Sequence, residues 1–596
     1  MFKNYLFVAL RHLKRFKAYS FINIMGLAIA LACSFVIVLF IHDELSYDRF
    51  HLNAGRIYRV AMTITLQTRT LNSPTLQMAL GPLLAASYPE VAEAVRFADE
   101  ARTVVKHEDK EFYQSNILYA DASIFRVFTF PLVRGNPQTA LEKPSTTVLT
   151  ETTARRYFGT TDPMGQVLRF NDERDFTVTG IVQDPPHNSS LRFDVLCSLE
   201  SQFALNPRSR NDWIETNSHT YILLKPGQDY RQLEKKMEGI VAQRLGPVLK
   251  TVGGTARYFL HPLPKIHLYY PSYADDSSHA GNIASIYVFA AIAFLILGIA
   301  CINFMNLATA RSARRAKEIG IRKVAGAFRQ DLVRQFLGES FISTLFASIV
   351  AVLLFIIALP ALRSGLGIDL TFTPASAGRL TPLFAFLVLM VGLAAGSYPA
   401  FFLSSFHPAD VLKGGLRSGR KNVRFRRILV GVQFIISIIL IIVASLIREQ
   451  LLFMKTKTLG FNKDQVLAME IMDRQVFSSR EVIKNRLKQV PGVLAVSAAQ
   501  GVPGLGYFDN MPLVPEGFSF NESLIMTRFQ ADADYLPAMG IELAAGRNFS
   551  TENPSDSENS IIINETAVKE LGWAEPLGKT IKIPVSPIRW QPKTVV

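Results

Sequence analysis

Three groups of residues have the types and spacing to do chemistry. The first is Gly572-Trp573-Ala574-Glu575-Pro576-Leu577-Gly578-Lys579-Thr580, the nearest match in the chain to a phosphate-binding loop. Such a loop cradles phosphate on backbone amides and needs four residues between its glycines, then Lys and Ser or Thr. Here five intervene, and the stretch is expected to bind no nucleotide. The second group is His261 with His267, spaced six apart beside a strand-like run. Without further ligands they read as structural rather than as zinc ligands. The third is the basic run Arg311–Ser340, RSARRAKEIGIRKVAGAFRQDLVRQFLGES. Its chemistry is contact, not catalysis. Gly320 and Gly326 punctuate a segment of helical character. Between them Ile321, Val324 and Ala325 can face one way, and Arg322 and Lys323 another. A short helix of this kind, lying parallel to a membrane, can fit a partner's groove. On charge alone it could equally be a plain positive-inside loop.

The elements around these groups come from hydropathy. Residues 1–20 read as an amphipathic helix, with Phe2, Tyr5, Leu6, Ala9, Leu13 and Phe16 at helical spacing among five basic residues and no acid. Five apolar stretches follow at 21–41, 284–308, 341–362, 383–403 and 428–447. Each is near the roughly 20 residues that a bilayer requires. The first lacks a small-residue cleavage site and reads as an uncleaved anchor.

The net charge of +15 sits beside these stretches. That location points to membrane topology rather than to nucleic acid. Residues 309–335 carry eight Lys or Arg against Glu318 and Asp331, and 411–427 carry seven and no acid. The positive-inside rule then puts 1–20, the loop 309–340 and the linker 404–427 on the cytoplasmic side. Segment 42–283, the short loop 363–382 and segment 448–596 fall outside. No Asp, Glu, Lys or Arg lies well inside a span, which argues against a proton- or ion-coupled carrier. Gly392 and Gly396 form a small-x3-small face in the fourth span that permits close helix contact. Asn303 and Asn306 suit capping or hydrogen bonding between helices.

Segment 42–283 is polar enough to be a mixed α/β domain. Leu76–Val91 and Tyr230–Leu245 look helical, the latter with an apolar stripe of Leu233, Met237, Ile240, Val241 and Leu245. Residues 103–105, Phe176–Val182, Thr220–Leu224 and Arg257–Leu260 look like strands. With no nucleophile motif, phosphate loop or paired carboxylates, it reads as a binding or structural domain. Three scattered cysteines, Cys33, Cys197 and Cys301, support no disulfide framework.

The chain then repeats itself at an offset of 413. Ala120-Asp121 falls on Ala533-Asp534, and Thr153-Ala154, Gly159, Pro163 and Gly165 fall on Thr566-Ala567, Gly572, Pro576 and Gly578. Segment 448–596 is therefore expected to begin a second outer domain, incomplete here, in a chain that should continue with three more spans. Gly165-Gln166-Val167 stands where the second copy has Gly578-Lys579-Thr580, so the Lys-Thr is not shared between copies.

Arg315-Ala316-Lys317-Glu318-Ile319-Gly320-Ile321-Arg322-Lys323-Val324-Ala325-Gly326-Ala327, with Gln335-Phe336-Leu337 and Glu339-Ser340, closely resembles the FtsX-like/MacB-like ABC transporter permease family. Gly396-Ser397-Tyr398-Pro399-Ala400, His407-Pro408 and Val411-Leu412-Lys413 look like that family's motif after the fourth span. The resemblance extends over essentially the whole chain and suggests the eight-span, two-repeat type. It implies an α-helical transmembrane bundle in the inner membrane, with large α/β periplasmic domains of the MacB core type. It implies a separate ABC ATPase that binds the ATP, so the chain itself needs no cofactor and no catalytic residue. Lys317, Glu318, Ile319, Gly320, Ile321, Arg322, Lys323, Ala325 and Gly326 would form the coupling helix that touches this ATPase. ATP-driven movement would rearrange the outer domains, a mechanism called mechanotransmission. The work would be export or extraction of a peptide, lipoprotein, antibiotic or toxin, with a membrane-fusion protein or other periplasmic protein as a candidate partner. A signalling subunit that regulates a cell-wall hydrolase shares every one of these residues, and a membrane-anchored enzyme would need a catalytic constellation that the sequence does not show.

Overall fold

A computed structural model describes the chain except residues 1–10, 12–16, 67–68, 101, 252, 271–280, 311–320, 367–373, 405–418, 472–473, 503–508 and 587–588. It divides into two compact units, residues 1–45 with 282–457, and residues 46–281 with 458–596.

The first unit consists of long apolar helices: α1 (Lys17–Ser46), α2 (Ile283–Ala310), α3 (Arg329–Leu366), α4 (Pro374–Ser404) and α5 (Gly419–Thr456). Each holds a stretch long and apolar enough to cross a membrane. Small residues let α1 to α4 approach closely. Ala28 and Ala30 of α1, Ala300 of α2, Ala347 and Ala351 of α3 and Ala395 of α4 share one buried cluster with Leu27, Leu31, Phe304 and Val391. A smaller cluster joins Phe35 and Leu39 to Phe355. The Phe35 ring meets Phe355 and Phe384 edge-on at 5.2 and 4.7 Å, the geometry that aromatic quadrupoles favour.

The helices run past the expected spans into the segments between them, for example at α3 and α5. α3 starts at Arg329, so the last twelve residues of the expected loop 309–340 are helix. α5 already includes 419–427 of the expected linker 404–427, and residues 405–418 lie outside the described part. Charge marks where a helix leaves the bilayer, not where it ends. Asn303 and Asn306 show no interhelical hydrogen bond among the described residues. Asn306 Oδ1 is buried without a partner, and Asn303 Nδ2 lies 3.8 Å from where a Cβ on Gly26 of α1 would stand.

In the second unit, residues 46–281 form a large sheet. Its central path runs Gly254–Pro262, Ile57–Leu66, Thr216–Leu224, Val91–Glu100, Ile117–Ala120, Val195–Ser198, Thr146–Thr150, Arg174–Val182, Val167–Phe170, Thr103–His107 and Lys110–Gln114. Most neighbours are antiparallel, but Val195–Ser198 and Arg174–Val182 pair in parallel with Ile117–Ala120 and Thr146–Thr150. The helix Tyr230–Ile240 continues as one π turn, Val241–Leu245, and buries Leu233, Met237, Ile240, Val241 and Leu245 as its stripe requires.

The expected helix Leu76–Val91 is broken. Leu76-Gln77 pairs with Thr216–Leu224, only Leu80–Ser87 is helical, and Val91 opens a strand. Pro89 disfavours a helical Tyr88, which is extended at φ −119° and ψ 111°.

Residues 458–596 hold a smaller sheet in the order Leu524–Arg528, Asp509–Pro515, Thr580–Ser586, Arg589–Val595 and Ser560-Ile561. The repeat is visible in the backbone. The helix Glu151–Phe158 is capped by Thr150, whose Oγ1 accepts the Thr153 N–H at 3.3 Å; the helix Glu565–Leu571 is capped by Asn564, whose Oδ1 accepts the Ala567 N–H at 2.9 Å. Both end on a glycine at positive φ, Gly159 at +61° and Gly572 at +66°, though their ψ values differ (−111° and 23°), and the turn glycines Gly165 and Gly578 match at φ +78° and +79°. The following hairpins differ. Leu168 and Ile581 are 413 apart, but their partners Phe176 and Lys593 are 417 apart, so the second hairpin is four residues longer.

Candidate coupling site

Lys317, Glu318, Ile319 and Gly320 lie outside the described residues. From Ile321 onward the geometry is clear. Residues 321–324 form one helical turn, closed when the Ala325 N–H donates to the Ile321 carbonyl and the Ala327 N–H to the Arg322 carbonyl, both at 3.0 Å. Gly326 stops it at φ +95°, where a side chain would be strained. α3 then begins. Asp331 Oδ2 accepts the Phe328 N–H at 3.3 Å, which satisfies a donor that a helix N-terminus leaves free.

The two cations of the turn point back into the protein. Arg322 Nη1 donates to Gln335 Oε1 at 2.8 Å, and Gln335 Nε2 donates to Glu339 Oε1 at 3.1 Å. Lys323 Nζ donates at 2.7 Å to the carbonyl of Ser404, the last residue of α4. A cation at a helix C-terminus meets unpaired carbonyls and the negative end of the helix dipole. Burial, and then the charge of Arg329, lower the pKa of the Lys323 ammonium. What remains outward is apolar. Ile321, Val324 and Phe328 are 61%, 67% and 77% exposed, and Ala325 and Gly326 are exposed beside them. Because the turn stops at Gly326, helical spacing relates only Ile321 to Val324, and Phe328 is exposed just beyond the stop.

Behind the turn, α3 and α4 touch backbone to side chain. A Cβ added to Gly396 would stand 2.8 Å from Ser340 Cβ and 2.9 Å from Ser340 Oγ; one on Gly392 would stand 3.3 Å from Phe341 Cδ2. Leu332, Phe336 and Ala400 close the same interface nearer the turn. Lys323 and Gly396 thus tie the turn, α3 and α4 into one piece.

The other candidates have different roles. Lys579 precedes and Thr580 opens a strand, not the helix that a phosphate loop precedes. The Thr580 N–H and Oγ1 donate to Glu516 Oε2 at 3.0 and 3.2 Å, and the Lys579 ammonium lies over the Trp573 ring, 5.6 Å from its centre. His261 stacks on Tyr270 and His267 on Tyr47. Cys197 is a fully buried strand residue whose thiol burial pushes up to about 12. A cleft of about 380 Å³ opens in the large domain beside Gly81, Glu93, Arg96, Asp121 and Arg126. Arg96 donates twice to Asp121 at 2.9 Å and once to the Met78 carbonyl at 2.8 Å, and Arg126 pairs with Glu93. These charges neutralise one another across the wall, an arrangement suited to holding a shape rather than to proton transfer.

Phe328 and Ser404, two contributors to this site, carry no pattern of their own in the sequence. The acceptor for Lys323 stands 81 residues away, and only the fold brings it near.

Comparison with known proteins agrees with this architecture. The MacB-like periplasmic core domain matches residues 20–240 and 428–596, and the FtsX-like permease C-terminal domain matches 290–407. The macrolide export ATP-binding/permease protein MacB of Bdellovibrio bacteriovorus is 25% identical over 279 residues, 45% of this chain and 38% of that protein. The MacB of Bradyrhizobium diazoefficiens is 34% identical over 131 residues, 21% of this chain and 19% of that protein. The match therefore spans well under half the length of these curated relatives. Among solved structures, the periplasmic region of MacB from Actinobacillus actinomycetemcomitans aligns at 16% identity and a TM-score of 0.26, covering 35% of this chain and 90% of that one. Two copies of the core domain, each opening at an apolar helix and set on either side of a permease segment, make this chain a member of the MacB-like, FtsX-like ABC transporter permease family.

Proposed function

We propose that this chain is the membrane subunit of an ABC transporter whose ATP is bound and hydrolysed by a separate chain. The turn Ile321–Gly326, with Phe328, is the surface that meets the ATPase. One observation carries this reading: the turn's cations are spent on α3 and α4, and an apolar triad is left facing out. Exposed apolar residues gathered within one short segment suit a partner's groove. In this reading the N-terminus, the turn and the basic linker are cytoplasmic, the membrane is the inner one, and both large domains are periplasmic. Displacement of the turn moves α3 and α4 together through Lys323 and the Gly396–Ser340 contact. That movement rearranges the outer domains, which export or extract a peptide, lipoprotein, antibiotic or toxin. The chain supplies no catalytic group and holds no cofactor.

The test is affinity for the ATPase partner in nanodiscs. Val324→Asp and Phe328→Asp should each weaken binding by at least about tenfold, in line with central anchors of an interface, with an unchanged melting temperature. Lys323→Met should instead lower the melting temperature, because it frees the end of α4. Unchanged affinity in both aspartate variants would reject the assignment.

A further inference from the structure

α4 is interrupted near its C-terminal end. Pro399 lies inside the helix and has no N–H, so the backbone bond to the Ala395 carbonyl is missing and the helix is free to bend there. Two contacts hold this point. Gly396 meets α3, since a Cβ on it would stand 2.8 Å from Ser340 Cβ. Tyr398 meets α5. Its ring stacks on that of Phe425, with centres 4.5 Å apart and planes 23° from parallel. At 3.6 residues per turn, positions two apart point about 200° apart. The two contacts therefore lie on opposite sides of α4, which at this level stands between α3 and α5.

The helices joined by the stack are held differently. α3 and α4 share a buried core with α1 and α2. The apolar stretch of α5 is exposed along its length, with Ile428, Phe434, Ile435 and Ile441 all open. α5 also runs beside α2, but what joins it to α4 is a ring on a ring. Phe425 is the apolar member of the run Arg424-Phe425-Arg426-Arg427, whose arginines are exposed. A stacked aromatic pair favours its arrangement by about two- to tenfold beyond the area it buries.

We propose that Tyr398 is a positioning residue that makes α5 follow α4. Gly396 against α3 and Tyr398 against α5 clamp α4 where its own hydrogen bonding is weakest. The end of α4, to which Lys323 is bonded through the Ser404 carbonyl, then carries α5 whenever it is displaced. Stacking does this and the hydroxyl does not, so phenylalanine serves at 398 and leucine fails. The inference rests on the permease reading only for what displaces α4.

The test uses the full chain in nanodiscs, with Cys33, Cys197 and Cys301 replaced by alanine and spin labels on Phe386→Cys of α4 and Ile441→Cys of α5, both exposed positions. Without any ATPase, Tyr398→Leu should about double the width of the distance distribution read by double electron–electron resonance, and Tyr398→Phe should leave it unchanged. A width that Tyr398→Leu does not change overturns the link, and so does a Tyr398→Phe width as broad as that of Tyr398→Leu. If Tyr398→Leu does not fold, Phe425→Leu breaks the same pair from the other side and is read in the same way. The ATPase partner and a non-hydrolysable ATP analogue are then added, with a label on Ile29→Cys of α1 as the reference for each of the other two. With Tyr or Phe at 398, both distances should shift. In Tyr398→Leu the Ile29–Phe386 shift should remain, and the Ile29–Ile441 shift should fall by at least about half. Equal Ile29–Ile441 shifts with and without the ring overturn the proposal. Shifts in neither pair, with the width result intact, would instead reject the permease reading and leave the link standing.

Discussion

Adding one methyl group to Gly396 tests whether α3 and α4 are held by the contact described above. Its Cβ would lie 2.8 Å from Ser340 Cβ, 2.9 Å from Ser340 Oγ and 3.3 Å from Leu337 Cδ2. Ser340 is buried and its Cβ is fixed to the backbone, so relief requires the helices to separate. Overpacking of this kind costs about 1–3 kcal/mol. Replacing a helix glycine by alanine returns up to about 1 kcal/mol. The net expectation is a loss of up to about 2 kcal/mol. Two controls bracket it. Gly392→Ala meets Phe341 Cδ2 at 3.3 Å, a ring edge that can give, and should be nearly neutral. Gly298→Ala, with nothing within 4 Å, should show only the helix-propensity gain. Reversible unfolding in bicelles by steric trapping would rank the three, with Gly396→Ala lowest. Ser340→Gly in the Gly396→Ala background should recover at least about 1 kcal/mol, because it removes the atom being struck. If Gly396→Ala were as stable as Gly298→Ala, the helices would not be packed through this point.

Two further outcomes follow from buried charge. Asp48 has its acid raised from 3.8 to about 6 in the folded state, so the native state binds more protons than the unfolded state between those values. Its contribution to stability is fully present below about pH 4 and falls away as pH rises through 6, by about 3 kcal/mol in all. Asp48→Asn keeps an acceptor for the Ser190 N–H and should flatten that slope in a melting series from pH 4 to 8; an unchanged slope would place the titration elsewhere. In the large domain, Asp121→Ala leaves the Arg96 guanidinium, whose side chain is 5% exposed, without its carboxylate. Breaking a buried pair from one side costs about 3–5 kcal/mol, and the partial exposure of Asp121 reduces this to about 2–4 kcal/mol. Denaturant titration of the full chain would measure it, and a loss under 0.5 kcal/mol would mean that water replaces the carboxylate.

What could be read from the residues, and what could not, divides along the range of the forces involved. A span needs about 20 apolar residues in a row, so its presence is written locally. So are the paired positive-φ glycines of the repeat, whose spacing is preserved even though the hairpin after them is four residues longer. Leu76–Val91 misled because Leu76, Leu80, Leu83 and Leu84 have helical spacing, while the edge of Thr216–Leu224, 140 residues on, takes Leu76-Gln77 as a strand. The coupling turn shows the same division within six residues. Its stop at Gly326 and its apolar side follow from local pattern. The direction of its charges does not, since Arg322 and Lys323 turn inward only because Gln335 and the end of α4 supply acceptors there. A basic loop beside a membrane is ordinarily read as a charged surface. With Arg322 and Lys323 committed to α3 and α4, the turn leaves Ile321 and Val324 exposed, with Phe328 just beyond it, and under the proposed coupling role these side chains rather than the two cations would be what a partner meets.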